Sequence, residues 1–437
     1  MNRRAIIAAA LTTGGLSAAV LLAGPASAGV LATPCTKAQM GNASVTTYPI
    51  PTLSNDPFLI ASNGSGATGT LAFTARGGNS VQSYTPATGA FGVLASTDVQ
   101  SPQGVAYGSD GSVWFTNPGP NTVGRITPTG VVSQFAIPSA NSNPWGITEG
   151  PDGNMWFTEY NANKVARITA AGAITEFDAP LGMPLQIATG GDGRLWVDGF
   201  QGSGIAAFSP DGTSQAFSVT LGSPSLNGLT TGPDGNAWFL DSQPANPSVG
   251  VINAAGTVTE YPIGVAGAAP DQIASAGPST NALWFTMGNG NIGRVTTAGV
   301  VTSYPATSQI ANPEGIVTGP DGAPWFTEAG CAALGRMSTS PVVYGTMTSR
   351  PAVVKRGRQY TVRVKMSAKG KVRLGLIGGM SRVTVLNTQG KKGVTTIRMT
   401  IPTTLKKRFL GRVTLVLNAW PGGSANQAAQ TAPVLVR

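Results

Sequence analysis

Between residues 45 and 340 apolar and polar side chains alternate in short runs, broken every few residues by Gly, Pro, Asp or Asn. Alternation at period two over such runs predicts half-buried β-strands, and the breaks supply the turns. The stretch 144–180, PWGITEGPDGNMWFTEYNANKVARITAAGAITEFDAP, shows this most clearly. It predicts four strands, WGITE, NMWFTE, KVARIT and AITEF, separated by a Pro-Asp-Gly turn, an Asn-rich loop and an Ala-Ala-Gly turn. Glycine in the turns supplies the positive φ that tight hairpins need.

The pattern recurs. Trp114, Trp156, Trp196, Trp238, Trp284 and Trp325 stand 42, 40, 42, 46 and 41 residues apart, and Phe73 lies 41 before the first, in a degenerate copy. Seven four-strand units of about 40 residues are the period of a β-propeller. The last unit stops after its third strand, and the missing fourth appears at the front, at residues 45–51. The N-terminal strand is therefore expected to pair with residues 333–337 and close the ring, removing two sheet edges. The fold class is all-β: a seven-bladed propeller spanning 29–340, then a small basic β-sandwich-like domain over 341–437. The Trp column reads as packing between blades, the Arg column (Arg125, Arg167, Arg294, Arg336) as a repeated structural contact, and the aspartates of the Pro-Asp-Gly turns (Asp152, Asp234, Asp321) as turn chemistry.

In each unit the start of the first strand and the end of the second meet on one face. The acidic residues there are Asp56, Asp271 and Glu314 from first strands, and Glu159, Asp241 and Glu328 from second strands. Six carboxylates around a central mouth would make an oxygen-rich site suited to Mg²⁺ or Ca²⁺, or else a solvated acidic rim.

Composition narrows the chemistry. Among 437 residues there is no histidine, which excludes His-based triads and His-ligated zinc. Charged residues are 11%, against about 25% in an ordinary globular chain. The net charge of +10 is unevenly spread: residues 341–437 carry 18 Lys/Arg and no Asp or Glu. Segments there alternate apolar with basic residues, and Lys406, Lys407 and Arg408 form the densest cluster. Such a tail favours a polyanion: teichoic acid, another anionic cell-wall polymer, anionic lipid headgroups or acidic glycan. Nucleic acid is not expected, since no aromatic stacking array is interleaved. Arg3 and Arg4, an uncharged apolar stretch and Ala26-Ser27-Ala28 read as a signal peptide over 1–28, and hence as export to the envelope or beyond. Export makes an oxidised Cys35–Cys331 pair plausible, closing the ring covalently. A monomer is expected.

The GPDGxxWFTE motif, the N-x-V-x-R-I-T strand and the T-E-F/Y strand resemble the virginiamycin B lyase (streptogramin lyase) family of seven-bladed propellers, over about residues 45–340. The resemblance implies an enzyme that opens the ester ring of a cyclic streptogramin by elimination, with Mg²⁺. Its last blade would carry Glu-Pro-His-Gly, with a second Glu sixteen residues after the first. Here that stretch reads Asn312-Pro313-Glu314-Gly315. Asn312 replaces a magnesium-associated Glu, Glu314 replaces the catalytic histidine, Glu328 falls on the second Glu, and Asp271 stands where the preceding blade should offer a histidine. One functional position of the pattern survives. The leading reading is therefore a propeller that binds an extracellular small molecule or glycan at its acidic mouth, with a basic tail for the envelope. The alternative is a metal-dependent carbon–oxygen lyase using Glu314 as base and Glu328 as metal ligand.

Overall fold

The computed structural model describes residues 39–436 except 41–42, 52–55, 65–68, 201–203, 220–224, 266, 278–279, 305–311, 340–344 and segments between strands beyond 349, with side chains described for 45–337. Residues 1–28, Cys35 and the Lys406–Arg408 cluster lie outside the described residues.

Seven sheets follow one another along the chain. Six have four strands in simple up-and-down order: blade 1 (57–95), blade 2 (105–136), blade 3 (144–178), blade 4 (184–217), blade 5 (226–262) and blade 6 (270–304). Blade 7 takes three strands from 313–339, a fourth from Ala43–Pro49, and a short fifth at its edge, Gln39–Met40. The fourth runs antiparallel to Ala333–Thr339, with Val45 opposite Met337 and Pro49 opposite Ala333. The ring thus closes as the half-units at the two ends of the sequence predict. Beyond it, strands between 345 and 436 form a three-stranded and a five-stranded sheet.

Each blade is built around its second strand, which is buried from end to end in blades 2 to 7. Trp156, Trp196, Trp238 and Trp325 are fully buried. The Trp156 ring stacks on Phe177 of the outermost strand, with centroids 5.4 Å apart. Trp238 does the same on Tyr261. Across the ladder Trp114, Trp156, Trp284 and Trp325 face the Arg of the next strand (Arg125, Arg167, Arg294, Arg336), and each of these guanidinium groups lies over its indole; Trp196 and Trp238 face Ala207 and Val251 instead.

The Pro-Asp-Gly turns do more than reverse the chain. Asp152, Asp234 and Asp321, and Asp192 in blade 4, each accept a hydrogen bond from the indole N–H of their blade's Trp, at 2.9–3.3 Å. Asp321 also pairs with Arg336, and Asp152 with Arg167 at 3.7 Å. Aspartate at this position therefore fixes the ring that fills the blade, a role beyond the turn chemistry expected of it.

The first strands pass close together around the axis. A Cβ on Gly104, Gly146, Gly228 or Gly315 would lie 2.3–2.8 Å from a backbone oxygen of the next blade. Glycine in the P-x-G-I strands is thus required by close backbone approach. It is this approach that brings the neighbouring second positions of those strands into contact.

Candidate functional site

The second residues of six first strands are Phe58, Trp145, Leu185, Asn227, Asp271 and Glu314, and Gln103 holds the equivalent place just ahead of the first strand of blade 2. On the blade 5–7 side they are polar and linked. The Asn227 side-chain amide donates to Asp271 Oδ1, Asp271 and Glu314 share a hydrogen bond, and Asn312 Nδ2 donates to Glu314 Oε1 at 2.6 Å. Burial, then the charge of Asp271 and the hydrogen bond to it, push the Glu314 carboxyl up to about 8, with Arg76 and Asn312 pulling the other way. Glu314 therefore tends to keep its proton near neutral pH and to donate it along the hydrogen bond to Asp271.

On the other side the mouth is aromatic. Phe58 meets Trp145 edge-on at 6.0 Å, Trp145 lies 6.1 Å from Tyr160, and Tyr160 lies 6.1 Å from Phe200. The Trp145 indole N–H is enclosed and has no acceptor. Arg76 sits over the Phe58 ring, its Cζ 3.6 Å from the centroid, and pairs with Asp56 at 3.6 Å. The Asp56 charge is thereby offset where the aromatic arc meets the acid pair.

Several of the residues that open a first strand have a geometric reason to be there. Asp56, Asn143, Met183, Ala269 and Asn312 each precede a strand-opening proline and have positive φ, from 35 to 52°. Asparagine tolerates that conformation better than most residues. Asn312 thus serves the turn into the strand and holds Glu314 as well.

The three carboxylates from second strands do not join this group. Glu159 is fully buried in blade 3, beside Glu176 and Lys164, with Ser142 approaching it but closing no well-formed hydrogen bond. Burial first, then Glu176, push it up to about 7. Asp241 is 1% exposed and accepts N–H bonds from Ser225 and Gln243. Glu328 is also 1% exposed, its carboxyl 3.5 Å from Thr47 Oγ1 and 3.6 Å from Cys331 Sγ, against the outer strand of its own blade. The reason lies in strand alternation. The last residue of the second strand points to the same side as the Phe two before it, over the outer strands of its blade, whereas the second residue of a first strand meets its counterparts on neighbouring blades. A single ring of six carboxylates is therefore not what the fold builds. Among the described residues there is no group of three or more His, Cys, Asp or Glu able to hold a metal ion. With Glu328 held against Thr47 and Cys331, and Glu314 against Asn312 and Asp271, the donors do not fit a Mg²⁺ or Ca²⁺ shared by Glu314 and Glu328.

Arg76, Asn227 and the Trp145–Tyr160–Phe200 arc were not anticipated. Trp145 is out of step with the forty-residue Trp period, and that was the signal available for it. Reading down the second-position column would have found Asn227, whereas Arg76, Tyr160 and Phe200 each lie one residue beyond a second strand.

A seven-bladed propeller with an acid pair and an aromatic arc across one mouth is the class these features define. The family model for the virginiamycin B lyase family matches residues 43–243 and 182–369, and the chain belongs to that family. Among solved structures, virginiamycin B lyase from Staphylococcus aureus is 30% identical, with a TM-score of 0.62 over 68% of this chain and 99% of that one. A streptogramin B lyase is 28% identical, with a TM-score of 0.63 over 68% of this chain and 98% of that one. A catalytically inactive variant of the S. aureus enzyme, solved with quinupristin, is 28% identical, with a TM-score of 0.61 over 68% of this chain and 99% of that one. No curated protein sequence matches the chain.

Proposed function

We propose that this protein binds an extracellular small molecule or glycan at the mouth, laying an apolar or aromatic ring against Trp145 and Phe58 and offering donor groups to Asp271 and Glu314. The observation that carries this reading is the juxtaposition: an aromatic arc on one side, and the hydrogen-bonded Asp271–Glu314 carboxyl pair on the other. A ligand ring would be covered by the arc, and a ligand donor would bond to the pair. Calorimetric titration of the full chain with a panel of cyclic depsipeptides and oligosaccharides tests it. Saturable binding weakened at least about tenfold by Trp145→Ala and by Glu314→Gln, roughly 1.4 kcal/mol, is the expected outcome. Binding untouched by both replacements would place the ligand elsewhere.

One observation favours a second reading. Glu314 lies where the family pattern has its catalytic histidine, and its carboxyl titrates near neutrality, as a general base must. On that reading Glu314 would take a proton from the carbon next to the one that bears the ester oxygen of a depsipeptide; a C=C bond would form between those two carbons, the alkyl C–O bond would break, and the acyl half would leave as a carboxylate. The binding reading expects no ring opening of a type B streptogramin, with or without Mg²⁺ or Ca²⁺, followed by mass. Turnover abolished by Glu314→Gln would replace it with a carboxylate-based lyase.

The signal-like 1–28 segment supports export, and the Lys/Arg-rich 341–437 segment supports retention at an anionic envelope polymer. Binding of the full chain to such a polymer should fall steeply with salt and weaken when Lys406, Lys407 and Arg408 are replaced together. A Cys35–Cys331 bond would be worth roughly 4–5 kcal/mol by the chain-entropy estimate. Two titratable thiols in the exported protein would exclude it.

A further inference from the structure

A hydroxyl network stitches the blades together near the axis. Thr74, Thr116, Thr158, Thr286 and Thr327, each the third residue of a W-F-T triplet (Ala-Phe-Thr in blade 1), do two things at once. Each accepts an N–H from the first strand of its own blade, at 2.8–3.2 Å. Each also donates its O–H to the carbonyl at the second position of the next blade's first strand, or its equivalent in blade 2: Gln103, Trp145, Leu185, Glu314 and Phe58, at 2.6–2.8 Å.

In blade 4 that threonine is Asp198. It is fully buried. Its Oδ1 accepts the Gln186 N–H at 2.6 Å, as the threonines do. Its Oδ2 is buried with no partner. The carbonyl at the corresponding acceptor position on blade 5 is that of Asn227. Two oxygens bearing only lone pairs cannot bond to each other, so the seam is satisfied only if Oδ2 carries a proton.

We propose that Asp198 is kept as a neutral carboxylic acid, a protonated stand-in for the threonine hydroxyl that ties blade 4 to blade 5 through the Asn227 carbonyl, and that its ionisation unties this seam. The surroundings agree. The strands packed around it, 184–189, 204–208 and 226–231, contain no titratable side chain. Neither Glu159 on blade 3 nor Asp271 on blade 6 acts on it. Burial alone pushes its carboxyl up to about 7, against the lowering hydrogen bond from Gln186. The side chain of Asn227 holds Asp271, so the state of the seam also bears on the mouth; that consequence rests on the binding reading above, whereas the test below needs no ligand.

The test compares the full chain with Asp198→Asn and Asp198→Thr by thermal unfolding at about pH 5 and about pH 9, on either side of the group's titration. Both replacements supply a permanent donor beside an acceptor. The expected result is a melting temperature at the higher pH at least about 2–4 °C above that of the unmodified protein, the shift of roughly 1 kcal/mol in a domain of this size, with a smaller pH dependence in both variants. The infrared band of a protonated carboxylic acid near neutral pH should also be lost in Asp198→Asn. Carboxyl-carbon NMR of the unmodified protein reads the same proton without any variant. An Asp198 carboxylate ionised at about pH 5, or variants that keep the full pH dependence, would overturn the proposal.

Discussion

On the turn face, Asp152, Asp192 and Asp321 are partly covered, yet the hydrogen bonds from turn amides, indole N–H groups and guanidinium groups outweigh burial and hold them below the usual carboxylate range. On the mouth face, Glu159, Asp198 and Glu314 have too few donors or an acidic neighbour, and burial drives them to about 7, 7 and 8. The same residue types in the same seven-fold frame are thus held in opposite protonation states. The difference teaches where the fold has spent its donors. On the turn face each carboxylate is matched to a Trp and an Arg of its own blade, which secures packing. On the mouth face the carboxylates are left for each other, for a neighbouring strand or for a ligand.

Opposite shifts have opposite consequences for stability. A carboxyl depressed in the folded state contributes stability that is present above its unfolded pKa and lost as pH falls through the folded value. A carboxyl raised in the folded state contributes stability that is complete below its unfolded pKa and lost as pH rises through the folded one. The turn face should therefore fail in acid, and the mouth face should weaken between about pH 4 and about pH 8, which places the stability maximum on the order of pH 4–5. A maximum at or above neutrality would break the comparison.

The largest effect expected is Trp156→Ala. Emptying the core of a blade should cost about 3–5 kcal/mol, and almost equally at all pH, which makes it the control against which pH-dependent losses are read by denaturant unfolding. Next is Asp271→Asn. Removing the charge beside Glu314 should lower the Glu314 midpoint by at least about one unit, or roughly 1.4 kcal/mol between its protonation states, measured by carboxyl NMR. An unchanged midpoint would show that burial alone sets it. The smallest is Asp152→Asn. The amide can still accept from the indole N–H but loses the charge opposite Arg167. The cost should be about 0.5–1.5 kcal/mol at neutral pH and should shrink in acid. An equal cost in acid would mean that ionisation of the turn face contributes nothing.

The repeat architecture was legible because it is written in periodic residues: Trp every forty or so positions, Pro-Asp-Gly between strands, and a missing strand at one end matched by a spare strand at the other. The site was less legible because its geometry depends on which way a side chain points. Glu328 and Glu314 both reach the mouth end of blade 7, yet two-residue alternation sends Glu328 over the outer strands while Glu314 meets its counterparts on the neighbouring blades. Arg76 lies one residue beyond a degenerate second strand, where no motif marks it. Asp198 hid in plain view as an aspartate in a column of threonines, and only the hydrogen bonds of its five threonine counterparts give it meaning.

The strand Ala43–Pro49 completes a blade whose other three strands end at residue 339. Chains are made from the N-terminus onward, so the first strand of the ring to emerge is the last to find its partner. Until residues 333–339 arrive, Ala43–Pro49 lacks its long partner and the ring is open between blade 1 and the growing blade. Each added blade moves the growing edge and leaves that strand waiting. Assembly therefore has a direction and a final step, and that step joins the oldest part of the ring to the newest.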